Sequence, residues 1–272
     1  MARRASSLCG SRRVRRLLVF ILAGFLVGAA SMALASGKRA GSASALTLDH
    51  FQCYQLKPSP RLNRNVSLQD QFAKVPARVE VLSLLTICNP VRKTVRTGTT
   101  PVRNRLAHLA CYGLKAPGAV HPNVRVSNQF DKDTELVVGR AVQLCLPSGK
   151  SLGRVATPVK ARGLDHFECY LVEAKERFSP QSVTLLDEFK RNKSWRVVRH
   201  TMLCNPVSKN KAKILNPAGH LVCYELAPKD TGLRPRTVSI SNQFTTDPSG
   251  KVIATALASV SLCVPSSKRE LR

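Results

Sequence analysis

The stretch HFQCYQL, residues 50–56, recurs three times along the chain, as HLACYGL from His108, HFECYLV from His166 and HLVCYEL from His220. No tyrosine lies outside these four copies. Further on, each copy is followed by a phrase that ends in phenylalanine and then by a cysteine with a proline two positions later. The chain is therefore built from four copies of one structural unit.

The four repeats fall into two kinds, which we call A and B. The phenylalanine phrases are VSLQDQF, VRVSNQF, VTLLDEF and VSISNQF, and the closing phrases are ICNPVRK, LCLPSGK, LCNPVSK and LCVPSSK. The first and third repeats share an aspartate near the phenylalanine (Asp70 and Asp187) and the letters CNPV, whereas the second and fourth share SNQF. The order A1-B1-A2-B2 indicates that an A-B pair was duplicated.

The fold class is read from the alternation of apolar and polar residues in the same phrases. Period-two patterns of β-branched residues, separated by glycine and proline, predict short strands at regular spacing and little helix. We therefore predict an all-β protein of two tandem disulfide-stapled modules, each a β-sandwich or small barrel formed by one A-B pair. The expected boundaries are 46–152 for module 1, 153–163 for the linker and 164–272 for module 2.

The first 35 residues have the three regions of a signal peptide. Arginines without acids precede an apolar run of 14 residues, Leu17 to Ala30, and small residues follow before Ser36. We expect cleavage near Ala35, a flexible leader at 36–45, and a secreted, periplasmic or cell-surface product. The alternative is that the apolar run is kept as a membrane anchor, although it is shorter than the roughly 20 residues that a span needs.

Eight cysteines remain after such a cleavage, and in an exported chain they predict disulfides. Repeat logic favours bonds within each repeat: Cys53–Cys88, Cys111–Cys145, Cys169–Cys204 and Cys223–Cys263. Exchange within a pair of repeats, such as Cys53–Cys145 with Cys88–Cys111, is the alternative. We predict no metal site and no cofactor, because each repeat offers one recurring histidine and two cysteines, whereas zinc needs about four ligands.

The recurring histidine and tyrosine are predicted to be structural. On a strand, residues four apart share a face, so the imidazole is placed to serve the phenol that a buried tyrosine must satisfy. A surface His-Tyr pair that binds a ligand is the alternative. The pairs are His50 with Tyr54, His108 with Tyr112, His166 with Tyr170, and His220 with Tyr224.

The charge of the chain predicts an anionic partner. The formal net charge is +27, and loss of the six arginines of the signal peptide leaves +21. One segment concentrates cations around the only tryptophan and is the predicted anion-binding site; it comprises Lys190, Arg191, Lys193, Trp195, Arg196 and Arg199. The competing interpretation is an exposed hairpin whose tryptophan caps the core. No motif for specific nucleic-acid binding accompanies these residues.

Together, the phrases HFxCY, DQF or NQF, and LCNPVxK or LCVPSxK resemble an uncharacterised repeat family, a domain of unknown function in exported bacterial proteins. The resemblance extends from His50 to Lys268 and implies a secreted, cysteine-stapled module without implying an activity. We therefore expect a non-enzymatic binding or structural module that contacts anionic envelope material, such as an anionic polymer or a membrane surface, or an acidic protein. The alternative is an exported hydrolase with a histidine and an acid at the seam between A and B repeats.

Overall fold

The structure, a computed structural model, describes residues 48–57, 59, 61–159, 163–189, 193–228, 234–245 and 248–271. The predicted signal peptide and leader lie outside these residues. In the part of the chain that is described, no helix is long and apolar enough to cross a membrane.

The described residues contain thirteen strands and no helix, which confirms the all-β prediction. Each repeat contributes a first strand with the Cys-Tyr phrase, a short middle strand and a long last strand. The first strands are β1 (His50–Leu56), β5 (His108–Lys115), β8 (His166–Ala174) and β11 (His220–Ala227). The middle strands are β2 (Arg64–Gln69), β6 (Val124–Ser127), β9 (Gln181–Leu186) and β12 (Arg236–Ser241). The long strands are β3 (Ala77–Val95), β7 (Thr134–Leu152), β10 (Lys193–Lys209) and β13 (Val252–Glu270). A short strand, β4 (Gly98–Thr100), folds back on the end of β3.

First and long strands alternate around a closed antiparallel ring, in the order β1-β3-β5-β7-β8-β10-β11-β13 and back to β1. The pairs β7–β8 and β13–β1 join the two halves of the chain as closely as the other pairs join repeats within a half. The two tandem modules are therefore not confirmed: the strands form one sheet. An A-B pair alone would leave β1 and β7 as open edges, whereas closure with the second pair satisfies both.

The middle strands connect repeats that are two apart. Each pairs on one edge with the beginning of its own long strand, as β2 does with β3. On the other edge it pairs with the end of the long strand two repeats away: β2 with β10, β9 with β3, β6 with β13, and β12 with β7. Contacts therefore link A1 with A2 and B1 with B2 across the ring.

The proline after each second cysteine lies between two strand partners. On one side, β3 pairs with β5 as far as Cys88 and with β9 only from Arg92 onward, so Pro90 falls in the gap. Because proline has no N–H to donate, it is tolerated where the ladder is interrupted. The other three long strands repeat the arrangement at Pro147, Pro206 and Pro265.

The inside of the strand ring is filled by sulfur. Four disulfides, all within single repeats, join the cysteines with S–S distances of 2.02–2.07 Å: Cys53–Cys88, Cys111–Cys145, Cys169–Cys204 and Cys223–Cys263. Sulfurs of neighbouring disulfides lie 3.8–3.9 Å apart, so the eight atoms form a continuous ring. Phe51, Leu109, Phe167 and Leu221 are buried in the same inner cluster. Each bond closes a loop of 34–40 residues, which in the chain-entropy model stabilises the fold by about 4 kcal/mol.

The outer face of the ring is equally buried, because the middle strands and their turns cover it. Tyr54, Ile87, Val91, Leu144 and Leu203 belong to this larger outer core. The first strands thus carry bulky buried residues on both faces. The four disulfides indicate an oxidising environment such as the cell exterior.

Candidate functional site

Four equivalent clusters occupy the outer core, and each is named here by its tyrosine. Each tyrosine ring packs on the phenylalanine two repeats away, at centroid distances of 4.7–5.2 Å and steep interplanar angles, an arrangement typical of edge-to-face pairs. The pairs are Tyr54 with Phe189, Tyr112 with Phe244, Tyr170 with Phe72, and Tyr224 with Phe130. A repeats therefore meet A repeats, and B repeats meet B repeats.

In the Tyr170 cluster, which joins A1 and A2, a buried carboxylate collects the hydrogen bonds. Asp70 accepts from the backbone N–H of Phe72 at 2.9 Å, from Asn205 Nδ2 at 2.7 Å and from the Tyr170 hydroxyl at 3.0 Å. Burial and the nearby Asp70 charge raise the pKa of Glu168, a neighbour in this cluster, to about 7. Asn205 is the asparagine of the CNPV phrase. The aspartate and the asparagine that distinguish A repeats from B repeats are therefore hydrogen-bonded to each other across the ring.

The Tyr54 cluster repeats this chemistry with the two A repeats exchanged. Asp187 accepts from Asn89 Nδ2 at 2.7 Å and from the backbone N–H of Phe189 at 2.9 Å. Burial raises the pKa of Asp187, although hydrogen bonds from Asn89 and Tyr54 act in the opposite direction. Two independent copies of the Asp-Asn bond therefore join A1 and A2.

In the Tyr112 cluster, which joins B1 and B2, a neutral amide takes the place of the carboxylate. Asn242 accepts from the backbone N–H of Phe244 at 2.9 Å and donates to Ser148 Oγ at 2.9 Å and to the Tyr112 hydroxyl at 3.0 Å. The Tyr224 cluster has the same bonds from Asn128 to Ser266 and Tyr224. B repeats thus join through an asparagine and the serine of their closing phrase.

Each cluster also contains the lysine that ends a closing phrase. Lys93, Lys150, Lys209 and Lys268 place their ammonium nitrogens 4.0–5.4 Å from the ring centroid of the phenylalanine in the next repeat. Burial lowers the pKa of Lys93 to about 8 and the pKa values of Lys150 and Lys268 to about 7. All four closing phrases end in this lysine, so the repeat pattern indicated that the position matters. The pattern did not predict that the lysine is buried.

Three of the four recurring histidines are buried, and burial favours their neutral form. Burial, followed by the positive charge of Lys93, lowers the pKa of His50 to about 3, and burial with the equivalent lysine does the same for His108 and His220. The His166 ring lies 2.6 Å from Gln243 Nε2, in the neighbouring repeat. The sequence predicted a hydrogen bond between each imidazole and the tyrosine of its own strand. This prediction is wrong, because the tyrosine hydroxyls bond to the aspartate or asparagine two repeats away.

One buried pair has no counterpart in the other repeats. His200 Nε2 lies 3.0 Å from both carboxylate oxygens of Asp131, which also accepts from the Tyr224 hydroxyl. Burial opposes ionisation of Asp131, but the hydrogen bonds from His200 and Tyr224 prevail and lower its pKa. Asp131 and His200 are 4% and 5% exposed, so this pair is buried as part of the Tyr224 cluster.

A cavity of about 610 Å³, which we call the seam pocket, opens where A1, B1 and A2 meet. It is lined by Pro90, Arg92, Pro101, Val102, Arg105, His108, Leu186, Asp187 and Glu188. Glu188 stands where the other repeats have glutamine, and the buried Lys150 is its ion-pair partner. The seam pocket thus combines apolar walls with groups of both charges.

The structure describes four residues of the predicted anion-binding segment, Lys193, Trp195, Arg196 and Arg199, and the tryptophan among them does not lie at the surface. Trp195 is 2% exposed and pairs within the β9–β10 ladder, so its ring offers no face to a ligand. The Lys193 ammonium lies 4.6 Å from the Trp195 ring centroid, and Arg199 pairs with Glu225 at 2.5 Å. Arg196 is exposed, whereas Lys190 and Arg191 lie outside the described residues.

Within the described ranges, no group of three or more histidine, cysteine, aspartate or glutamate side chains is placed to hold a metal ion. The chain matches no family model, no curated protein and no solved structure.

Proposed function

We propose that the protein is an exported, non-enzymatic binding module whose exposed cations hold an anionic polymer of the cell envelope. The observation that carries this proposal is the unequal placement of acids and bases. Among the described residues three lysines are buried, Lys93, Lys150 and Lys209, whereas the buried acids number six: Asp49, Asp70, Asp131, Asp165, Glu168 and Asp187. These carboxylates act inside the fold and neutralise little of the charge that a partner meets.

Several of the remaining acids are already paired with cations at the surface. Glu80 contacts Lys115, Glu135 contacts Lys175, and Glu225 contacts Arg199. Exposed cations for which no such pair occurs among the described residues include Arg92, Arg96, Arg105, Arg140, Arg196, Lys211 and Lys213. A surface field of one sign attracts polyanions over the range of a Debye length, about 8–10 Å at physiological salt.

A rigid scaffold suits this task, because fixed charges do not have to be ordered when the polymer binds. The strand ring, closed by all four repeats and filled by disulfides, holds its exposed arginines on strands and short loops. Buried side chains carry no role in polymer binding and are expected to contribute through stability alone.

The alternative of a hydrolase draws on the seam pocket, where His108 lies near Asp187 and Glu188. Its histidine is 2% exposed and has its pKa lowered to about 3 by burial and by Lys150. A general base works best with a pKa near the operating pH. In addition, Asp187 is held by Asn89 and Tyr54 and Glu188 by Lys150, so the pocket favours binding over catalysis.

The test is retention on immobilised heparin and on immobilised polyphosphate, with neutral dextran as the control matrix. Retention should fall steeply as NaCl rises and should be absent on dextran. Vesicles of phosphatidylcholine with and without phosphatidylglycerol test the membrane surface as the alternative partner. Retention that is indifferent to salt, or equal on dextran, would contradict the proposal.

A further inference from the structure

The seam pocket has the size and lining of a site for a small organic molecule. Its volume of about 610 Å³ falls in the range of roughly 300–1,000 Å³ that is typical of ligand sites. Pro90, Pro101, Val102 and Leu186 supply an apolar wall, and the other five lining residues are polar or charged. Inorganic phosphate alone would leave most of this space empty.

The charges that remain available in the pocket are positive. Asp187 is bonded to Asn89 and to the backbone N–H of Phe189, and Glu188 is paired with Lys150. By contrast, Arg92 and Arg105 are exposed, and no ion pair involves either among the described residues. A ligand that enters therefore meets two guanidinium groups whose donors are free for a carboxylate, sulfonate or phosphate.

The equivalent place in the next repeat shows why this one is open. Gly149 occupies there the position that Arg92 has here, four residues after the second cysteine. A Cβ on Gly149 would lie 2.8 Å from Ser241 Oγ and 3.0 Å from the backbone of Pro158. The segment after β7 thus packs directly against that position, as the bridge between Lys150 and Val159 also indicates.

We infer that the seam pocket binds a small amphipathic organic anion, with Arg92 and Arg105 on its charged group and the proline-rich wall on its apolar body. This inference does not depend on polymer binding, which uses the exposed charges of the whole surface. It names a separate ligand class at one defined place.

The test uses two probes with the same aromatic body, 8-anilinonaphthalene-1-sulfonate and its uncharged analogue N-phenyl-1-naphthylamine, measured by calorimetry on the full chain. The sulfonate should bind with one-to-one stoichiometry. The double variant Arg92→Gln with Arg105→Gln should lower the affinity for the sulfonate by about tenfold or more, as expected for lost charge-assisted hydrogen bonds. Its affinity for the neutral analogue should be unchanged. The matched control, Arg140→Gln with Arg196→Gln, removes two exposed charges elsewhere and should leave both probes unchanged.

A pocket-filling variant, Val102→Trp, should abolish binding of both probes while retention on heparin persists. An equal loss of affinity for the sulfonate in the two double variants would overturn the inference, because diffuse electrostatic attraction would then explain binding. Unchanged binding in Val102→Trp, or no stoichiometric binding by the unaltered protein, would overturn it as well. Loss of heparin retention in all proteins, with probe binding intact, would instead refute only the polymer proposal.

Discussion

The A–A and B–B clusters have the same aromatic packing but different polar groups. Both place a tyrosine on the phenylalanine two repeats away, and both use a side-chain oxygen to accept the backbone N–H of that phenylalanine. In the A–A clusters an aspartate then accepts from an asparagine, whereas in the B–B clusters an asparagine donates to a serine. An A repeat therefore satisfies another A repeat better than it satisfies a B repeat, which explains why the sequence alternates.

The disulfides of the inner core are equivalent in A and B repeats, and removing one of them gives the largest expected effect. Replacing both cysteines of Cys169–Cys204 in an A repeat, or of Cys111–Cys145 in a B repeat, by alanine should cost about 4 kcal/mol in either case, because the closed loops have nearly equal length. Denaturant unfolding of the two variants measures the difference. A loss of stability in only one kind of repeat would contradict the equivalence of the disulfides.

The outer clusters should respond unequally. Asp70→Ala removes the acceptor of three hydrogen bonds and should cost about 3 kcal/mol, because buried donors are left without partners. Asn242→Ala in a B–B cluster breaks neutral bonds and should cost about 2 kcal/mol. Denaturant unfolding with Glu173→Ala, an exposed control, measures both values. An Asn242 variant that is more damaging than the Asp70 variant would reverse the comparison.

Converting one kind of cluster into the other sharpens the comparison further. Asp70→Asn alone should cost about 2 kcal/mol, since the new amide faces the donor of Asn205. Adding Asn205→Val and Val207→Ser supplies the residues of a B repeat and should recover at least half of that loss. The pair Asn205→Val and Val207→Ser without Asp70→Asn is the control and should be destabilising. Absence of rescue would show that the polar pairs do not specify which repeats meet.

The lysines, which both kinds of cluster share, give the smallest effect. The folded pKa values of Lys93, Lys150 and Lys268 lie below the usual value of 10.5, so between pH 7.5 and 9.5 the unfolded chain binds more protons. The free energy of unfolding should therefore rise with pH in this window, by up to about 1.4 kcal/mol per pH unit for each lysine. Lys150→Met should lower the slope, whereas the exposed Lys115→Met should not. A stability that is flat with pH would show that the buried amines stay charged.

The favoured disulfides of the inner core could be predicted from the sequence, whereas the order of strands in the closed ring could not. Alternation of side chains identifies which residues of HFQCYQL share a face, and the repeated cysteine spacing favours the disulfides that the structure has. Neither pattern says which strand lies beside β1, because pairing with β13 depends on a repeat more than 200 residues away. For that reason two separate modules were expected where one closed sheet exists.

Only part of the candidate site could be predicted from the sequence, for a related reason. The lysine of each closing phrase and the departure of Glu188 from glutamine were both visible in the aligned repeats. Their burial, and the meeting of Arg92, Arg105 and Glu188 around one cavity, arise only when three repeats come together. Trp195 is buried, in agreement with the interpretation of a tryptophan that caps the core, so the cations adjacent to it in sequence do not mark its ring as a binding surface.

The central claim is that repeats two apart recognise each other through the polar pair of each outer cluster. A double-mutant cycle on the free energy of unfolding tests it with Asp70→Ala, Asn205→Ala and Asn89→Ala. We predict a coupling of about 1–3 kcal/mol between Asp70 and Asn205, and additivity within about 0.5 kcal/mol between Asp70 and Asn89 of its own repeat. Coupling of Asp70 to Asn89 instead, with none to Asn205, would contradict it.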